Sequence, residues 1–185
     1  MWNYVAIFAL LIFPFSALPQ QDEAALKAKI KGFRNNKRFL IRYDKFTDKA
    51  TVLVAPFGLS STGEYMAGGH MLGIAASFGF EGQALKSPPA AYFIVFYYTG
   101  KNWLLLNDRT VYLIADGERF KFEDNKRESD VRRGGVSERL LVPVPAADFE
   151  RIANAKTVEV KVGGRAYQLK EEHLEAFRDL ASLPK

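Results

Sequence analysis

The sequence predicts an α+β fold rich in β-structure: a mainly antiparallel β-sandwich or half-barrel of about ten strands, with an N-terminal basic helix, a short crossing helix and a C-terminal docking helix. Three observations carry this reading. From about residue 37 onward the apolar residues alternate with a period of two for most of the chain. Turn signals recur between the alternating runs, at Thr99-Gly100-Lys101-Asn102, Asp116-Gly117 and Gly163-Gly164. Helical spacing is confined to three places, near the start of the domain, around residue 150 and at the end.

Val5 to Phe13 (VAIFALLIF) is an unbroken apolar run, followed by Pro14, the small residues Ser16 and Ala17, and the polar Gln20-Gln21-Asp22. An apolar core, a helix breaker and small residues before a polar start are the order of a secretory signal peptide. Residues 1–20 are therefore expected to be an export signal, and residues 21–185 one β-rich domain. Asn3 and Pro14 interrupt what would be a barely sufficient spanning length, so no stable membrane span is expected after cleavage.

The first helix is expected over Asp22 to Arg34. Leu26, Ile30 and Phe33 form its apolar side, Asp22 is placed to cap it, and Glu23 stands four residues before Lys27. Lys27, Lys31 and Arg34 fall on a neighbouring stripe. Asn35-Asn36 ends the helix.

Strands are then expected at Phe39–Tyr43, Thr51–Ala55, Met71–Phe80, Tyr92–Tyr98, Trp103–Leu106, Thr110–Ala115, Glu118–Glu123, Ser137–Val142, Thr157–Val162 and Arg165–Leu169. In the third, Leu72, Ile74, Ala76, Phe78 and Phe80 alternate with Gly73, Ala75, Ser77 and Gly79. The small face predicts a close backbone approach, a bend, or room for a ligand. Tyr92–Tyr98 (YFIVFYY) is apolar on both faces, which predicts a central position. Two hairpins resemble each other: Thr110–Glu123 aligns without gaps on Thr157–Lys170, sharing a Thr-Val start, a turn glycine and an aromatic three residues later.

Lys126–Arg139 (KRESDVRRGGVSER) reads as a charged loop hinged at Gly134-Gly135. Pro145–Asn154 is expected to be the crossing helix, with Pro143 and Pro145 suited to an edge or connector. The final helix is expected from Glu171 to Leu183, with Leu174, Phe177, Leu180 and Ala181 inward and His173 on the exposed side.

The chain has no cysteine, which excludes disulfides, thiolate metal sites, iron–sulfur clusters and thiol catalysis. It also lacks an Asn-x-Ser/Thr acceptor, and the two absences together favour a bacterial periplasmic or extracellular setting. No cofactor motif is present: the glycines between 58 and 73 form neither GxGxxG nor a phosphate loop.

The formal charge is +5, and Asp22 to Ala50 alone holds nine basic and four acidic residues, so the remainder is neutral. A basic helix of this kind suits an anionic surface, and at about 1 kcal/mol per basic group it would bind with a dissociation constant of about 0.1 to 1 mM. Nucleic acid is not expected as a partner, because the aromatic residues already belong to strand patterns.

The leading expectation is a non-catalytic binding or structural module of the cell envelope, engaging an envelope protein, a glycan or an anionic lipid surface. Its contacts would be the sheet face, the loop Gly58–Gly69, or Lys27, Lys31 and Arg34. One alternative is a carboxylate hydrolase centred on His70 with Glu64 and Glu81; another is a carrier of a small apolar ligand inside the β-fold. Asp108, Asp116 and Glu118 cluster in sequence, and Trp103, Tyr97 and Tyr98 are available for stacking on a sugar.

Overall fold

Alternation along the strands separates a larger sheet from a smaller one in a computed structural model, which describes residues 21–59, 71–123, 125–132 and 134–184. A two-residue strand β1 (Gln21–Asp22) leads into helix α1 (Glu23–Lys31), then β2 (Phe39–Asp44), β3 (Lys49–Leu59), β4 (Met71–Glu81), β5 (Ala84–Leu85) and β6 (Ala91–Gly100). There follow β7 (Val111–Ala115), β8 (Glu118–Phe122), β9 (Lys126–Arg132), β10 (Gly135–Pro145), helix α2 (Ala146–Asn154), β11 (Val158–Val162), β12 (Arg165–Gln168) and helix α3 (Glu171–Ser182).

The larger sheet has the order β2-β3-β4-β6-β10-β9 and the smaller β12-β11-β7-β8, with a short β1-β5 ladder beside them. All pairings are antiparallel and neither sheet closes on itself, so the architecture is the β-rich α+β sandwich or half-barrel expected from the sequence. Tyr92–Tyr98 lies on β6, between β4 and β10, as an apolar run on both faces predicts.

The inner face of the large sheet carries Val52, Val54, Leu72, Ile74, Ala76, Phe78, Ile94, Phe96, Leu140 and Val142, all buried. Helices α2 and α3 cover one end of it: Tyr92 stacks on Phe149 at 4.2 Å between ring centroids, and Phe149 meets Phe177 at 5.5 Å. The small sheet covers the other end, where β8 touches β10 and Tyr98 lies beside Tyr167. One hydrophobic cluster runs through all three layers and includes Leu26 and Ile30 of α1.

The two similar hairpins form the small sheet. Leu113 and Val160, equivalent in the alignment, are direct partners across β7 and β11, and the flanking pairs Tyr112–Lys161 and Ile114–Glu159 exchange under the same equivalence. Their pairing is thus two-fold symmetric about Leu113 and Val160. Both turns are the tight left-handed kind, with φ of 47° and 91° at Asp116-Gly117 and 57° and 75° at Gly163-Gly164.

Four expectations are corrected. The first helix ends at Lys31 and not at Arg34, because the Gly32 and Phe33 amides close its last turn on the Lys29 and Ile30 carbonyls. Trp103–Leu106 is not a strand; it is a bend whose Leu104 and Leu105 amides donate to a buried carboxylate instead of a ladder. Lys126–Arg139 is not a loop but the β9–β10 hairpin, because Arg127 and Glu138 pair on its inner face and replace the missing apolar alternation. Pro143 and Pro145 take the edge position expected of them, in β10 past Leu141 where β9 no longer pairs; the Ala146 N–H bonds to Ala90 just before β6, so the even positions face β6 and the prolines need no donor. His173 is 1% exposed on α3, not on its solvent side, because its ring closes the end of the helix against Phe57.

A bulge in β3 sets Ala55-Pro56 opposite Ala75. Arg38 bonds the Pro56 carbonyl at 2.9 Å and lies 4.1 Å over the Phe57 ring. The bulge presses on β4, where a Cβ at Gly73 would stand 3.1 Å from the Phe57 carbonyl oxygen. Close approach is therefore one reason for the small face of β4.

Candidate functional site: the outer face of the large sheet

The small residues of β4 point away from the core, toward the side of the large sheet that no described helix or sheet covers. Register places Leu40, Leu53, Ser77, Phe93 and Pro143 in one row across β2, β3, β4, β6 and β10, and Ala75, Val95 and Leu141 in the next. Leu40 is 43% and Phe93 37% exposed. Because Ala75 and Ser77 are short, the middle of this face sinks into a groove of about 260 Å³, walled by Leu53, Tyr97 and Leu141 and reached by Arg42 and Arg139.

The two arginines differ. Arg139 bonds Glu128 through Nε at 3.0 Å and also through Nη2, and Lys126 reaches the same carboxylate at 3.0 Å. Hydrogen bonds from Arg139 and Lys126 hold the Glu128 carboxyl below its ordinary range, and Glu128 raises Arg139 in turn. Arg42 is exposed and makes no ion pair among the described residues. The groove thus combines an apolar floor, one tyrosine edge and one uncompensated guanidinium. Sequence alternation identified the small face, but only the layer order shows that it is the outer one.

The basic helix is partly neutralised by its neighbours. Lys27 pairs with Glu23 at 2.5 Å, and Arg34 stands 3.6 Å from Glu175 of α3. Lys31 is exposed and unpaired among the described residues. Helix α1 ends at Lys31 with Gly32 as its cap, so Arg34 stands in the turn beyond it and not on the expected helix stripe, and acids offset two of the three charges.

Of the three residues expected for hydrolysis, only Glu81 lies among the described residues. His70 and Glu64, like most of Gly58–Gly69, lie outside the described residues. Glu81 ends β4 opposite Lys49 and lines a second open groove of about 510 Å³ with Asp48, Phe80, Lys86 and Pro88. Asp108, Asp116 and Glu118 each hold part of the fold: Asp108 accepts from the Thr110 N–H, Asp116 from Lys156 and Thr157, and Glu118 from Arg151. Backbone donation from Lys156 and Thr157 holds the Asp116 carboxyl below its ordinary value. The three aromatics also separate. Tyr97 lines the outer groove, Tyr98 is buried on the inner face, and Trp103 packs its ring under Arg127.

Among the described residues, no group of three or more His, Asp or Glu is placed to hold a metal ion, and no helix is long and apolar enough to cross a membrane. No protein-family model, curated protein or solved structure matches the chain.

Proposed function

We propose that this chain is an exported envelope-binding module that takes its ligand on the outer face of the large sheet and catalyses no reaction there. The observation that carries this reading is the groove over Ala75 and Ser77, an apolar floor beside the unpaired Arg42. Ligand sites are mostly apolar concavities with a few placed polar groups, and this one has that character on an open face. Its chemistry suits an apolar moiety bearing an acidic group, which Arg42 would hold as a charge-assisted partner. The exported setting rests on the apolar run Val5–Phe13 and the small residues after it.

Lys27, Lys31 and Arg34 add a weaker attraction to anionic surfaces in this reading. With Glu23 and Glu175 beside them their contribution is peripheral and lost with salt. The groove is the primary contact.

The test is retention of the purified full chain on isolated cell-envelope fractions. Ser77→Trp fills the groove from an outward-facing position and is expected to lower retention at least about tenfold, a loss of one good anchor contact. Arg42→Gln is expected to weaken it less. Retention unchanged in Ser77→Trp, with the melting curve preserved, would overturn the reading.

A further inference from the structure

The β2–β3 hairpin ends in a turn that holds a phenyl ring out in water. Phe46 is 88% exposed, the most exposed large apolar side chain among the described residues. The turn beneath it is braced. Asp44 accepts from the Phe46 N–H at 2.9 Å and from the Thr47 hydroxyl at 3.0 Å, and the Tyr43 hydroxyl donates to Asp48 at 2.9 Å. The Asp48 carbonyl in turn accepts from the Gly82 N–H at 2.8 Å, tying the tip to the end of β4. A ring on such a turn is displayed, not left over from a loose loop.

Its surroundings are polar and cationic. The Lys45 ammonium lies 5.1 Å from the Phe46 ring centroid, Lys49 and Arg42 are exposed on the same hairpin, and Lys86 shares a groove with Asp48. Asp44 spends both its oxygens and Asp48 its Oδ1 inside the turn, and Glu81 faces Lys49 across the β3–β4 ladder. The chain also enters the domain at this end: Gln21 pairs with Leu85, three residues beyond the Gly82 that bonds Asp48.

We propose that the β2–β3 tip is a bilayer contact, in which Phe46 enters the interface of an anionic phospholipid membrane while Lys45, Lys49 and Lys86 meet the headgroups. A protein partner fits less well, since a specific interface needs about 800 Å² from each side and the tip offers one ring among lysines, aspartates and a threonine. A bilayer interface accepts one aromatic ring with flexible ammonium groups above it. The surface lies on the hairpin tip and not in the groove over Ala75 and Ser77.

The chain has two tryptophans, so Trp2→Phe and Trp103→Phe leave Phe46→Trp as the only indole. With vesicles containing about one-third phosphatidylglycerol, its emission is expected to shift to the blue and to be quenched by lipids brominated in their acyl chains. Adding Lys45→Glu and Lys49→Glu is expected to raise the lipid concentration at half-maximal shift at least about tenfold. Emission that stays at its aqueous position on vesicles, or shifts equally on phosphatidylcholine alone, would overturn the proposal. A shift seen only with isolated envelope proteins would assign the ring to a protein pocket and overturn it too. An unchanged melting curve confirms that each variant is folded.

Discussion

Glu138 and Arg127 face each other across β10 and β9, with Oε1 2.8 Å from Nε and both side chains withdrawn from water. The same carboxylate accepts the Leu104 N–H at 2.6 Å and the Leu105 N–H at 3.1 Å. Arg127 lays its guanidinium 4.9 Å from the centroid of the Trp103 ring. One carboxylate therefore fastens the bend after β6 to the β9–β10 hairpin.

Removing that carboxylate strands a buried guanidinium and two backbone donors. Glu138→Ala is expected to lower stability by about 3–5 kcal/mol, the range for breaking a buried pair from one side. Glu138→Gln keeps one acceptor and should lose less. Urea denaturation measures both; a loss under about 1 kcal/mol in Glu138→Ala would show that the bend is not held by this residue.

His173 supplies a pH-dependent term. Its Nδ1 accepts the Lys170 N–H at 3.0 Å, so the neutral ring carries its proton on Nε2, which is buried without a partner. Burial lowers its pKa from the ordinary 6.5, opposed in part by Glu172, with Lys170 and Arg38 adding smaller contributions to the shift. A histidine with a depressed folded pKa binds protons more readily when unfolded. Stability is therefore complete above about pH 6.5 and falls with pH below it, until the folded pKa is reached. Melting curves between pH 8 and pH 5, about 1.5 units either side of that value, should show this slope in the parent and a reduced slope in His173→Leu.

Gly135 sits where β10 begins against the end of β6. A Cβ there would stand 2.5 Å from the Gly100 carbonyl oxygen, which is backbone and has no room to retreat. Gly135→Ala is expected to cost about 1–3 kcal/mol by forcing the strands apart. Gly58→Ala, with nothing within 4 Å of its added carbon, should stay within about 0.5 kcal/mol of the parent. Equal effects in the two variants would contradict the close approach.

Local patterns carried most of the fold. Period-two alternation located the strands that bury Leu72 to Phe78 and Val158 to Val162, because each inward residue declares its face through its own side chain. Hairpin turns were readable at Asp116-Gly117 and Gly163-Gly164 because their φ values demand particular residues. The β9–β10 hairpin was not readable, since Arg127 and Glu138 mimic solvent-facing positions until they meet each other. His173 was misplaced for a related reason. Helical spacing assigns a polar ring outward, while the Lys170 amide and Phe57 give it an inward position.

The proposed contacts divide in the same way. Spacing placed Lys27, Lys31 and Arg34 on one helix stripe, but α1 stops at Lys31 and leaves Arg34 in the turn beyond it. That Glu23 and Glu175 offset two of them was settled by a salt bridge within one helix and a contact from the turn after α1 to α3, between residues far apart in the chain. Sequence by itself determined which residues are apolar, which are small and where the backbone turns, since these follow from side chains and their neighbours. Only the tertiary structure decided that the small face of β4 is the open side of a sheet, that Phe46 stands braced beside the point where the chain enters, and that Glu138 is buried. Those outcomes depend on which layer covers which face, and no local propensity encodes that choice.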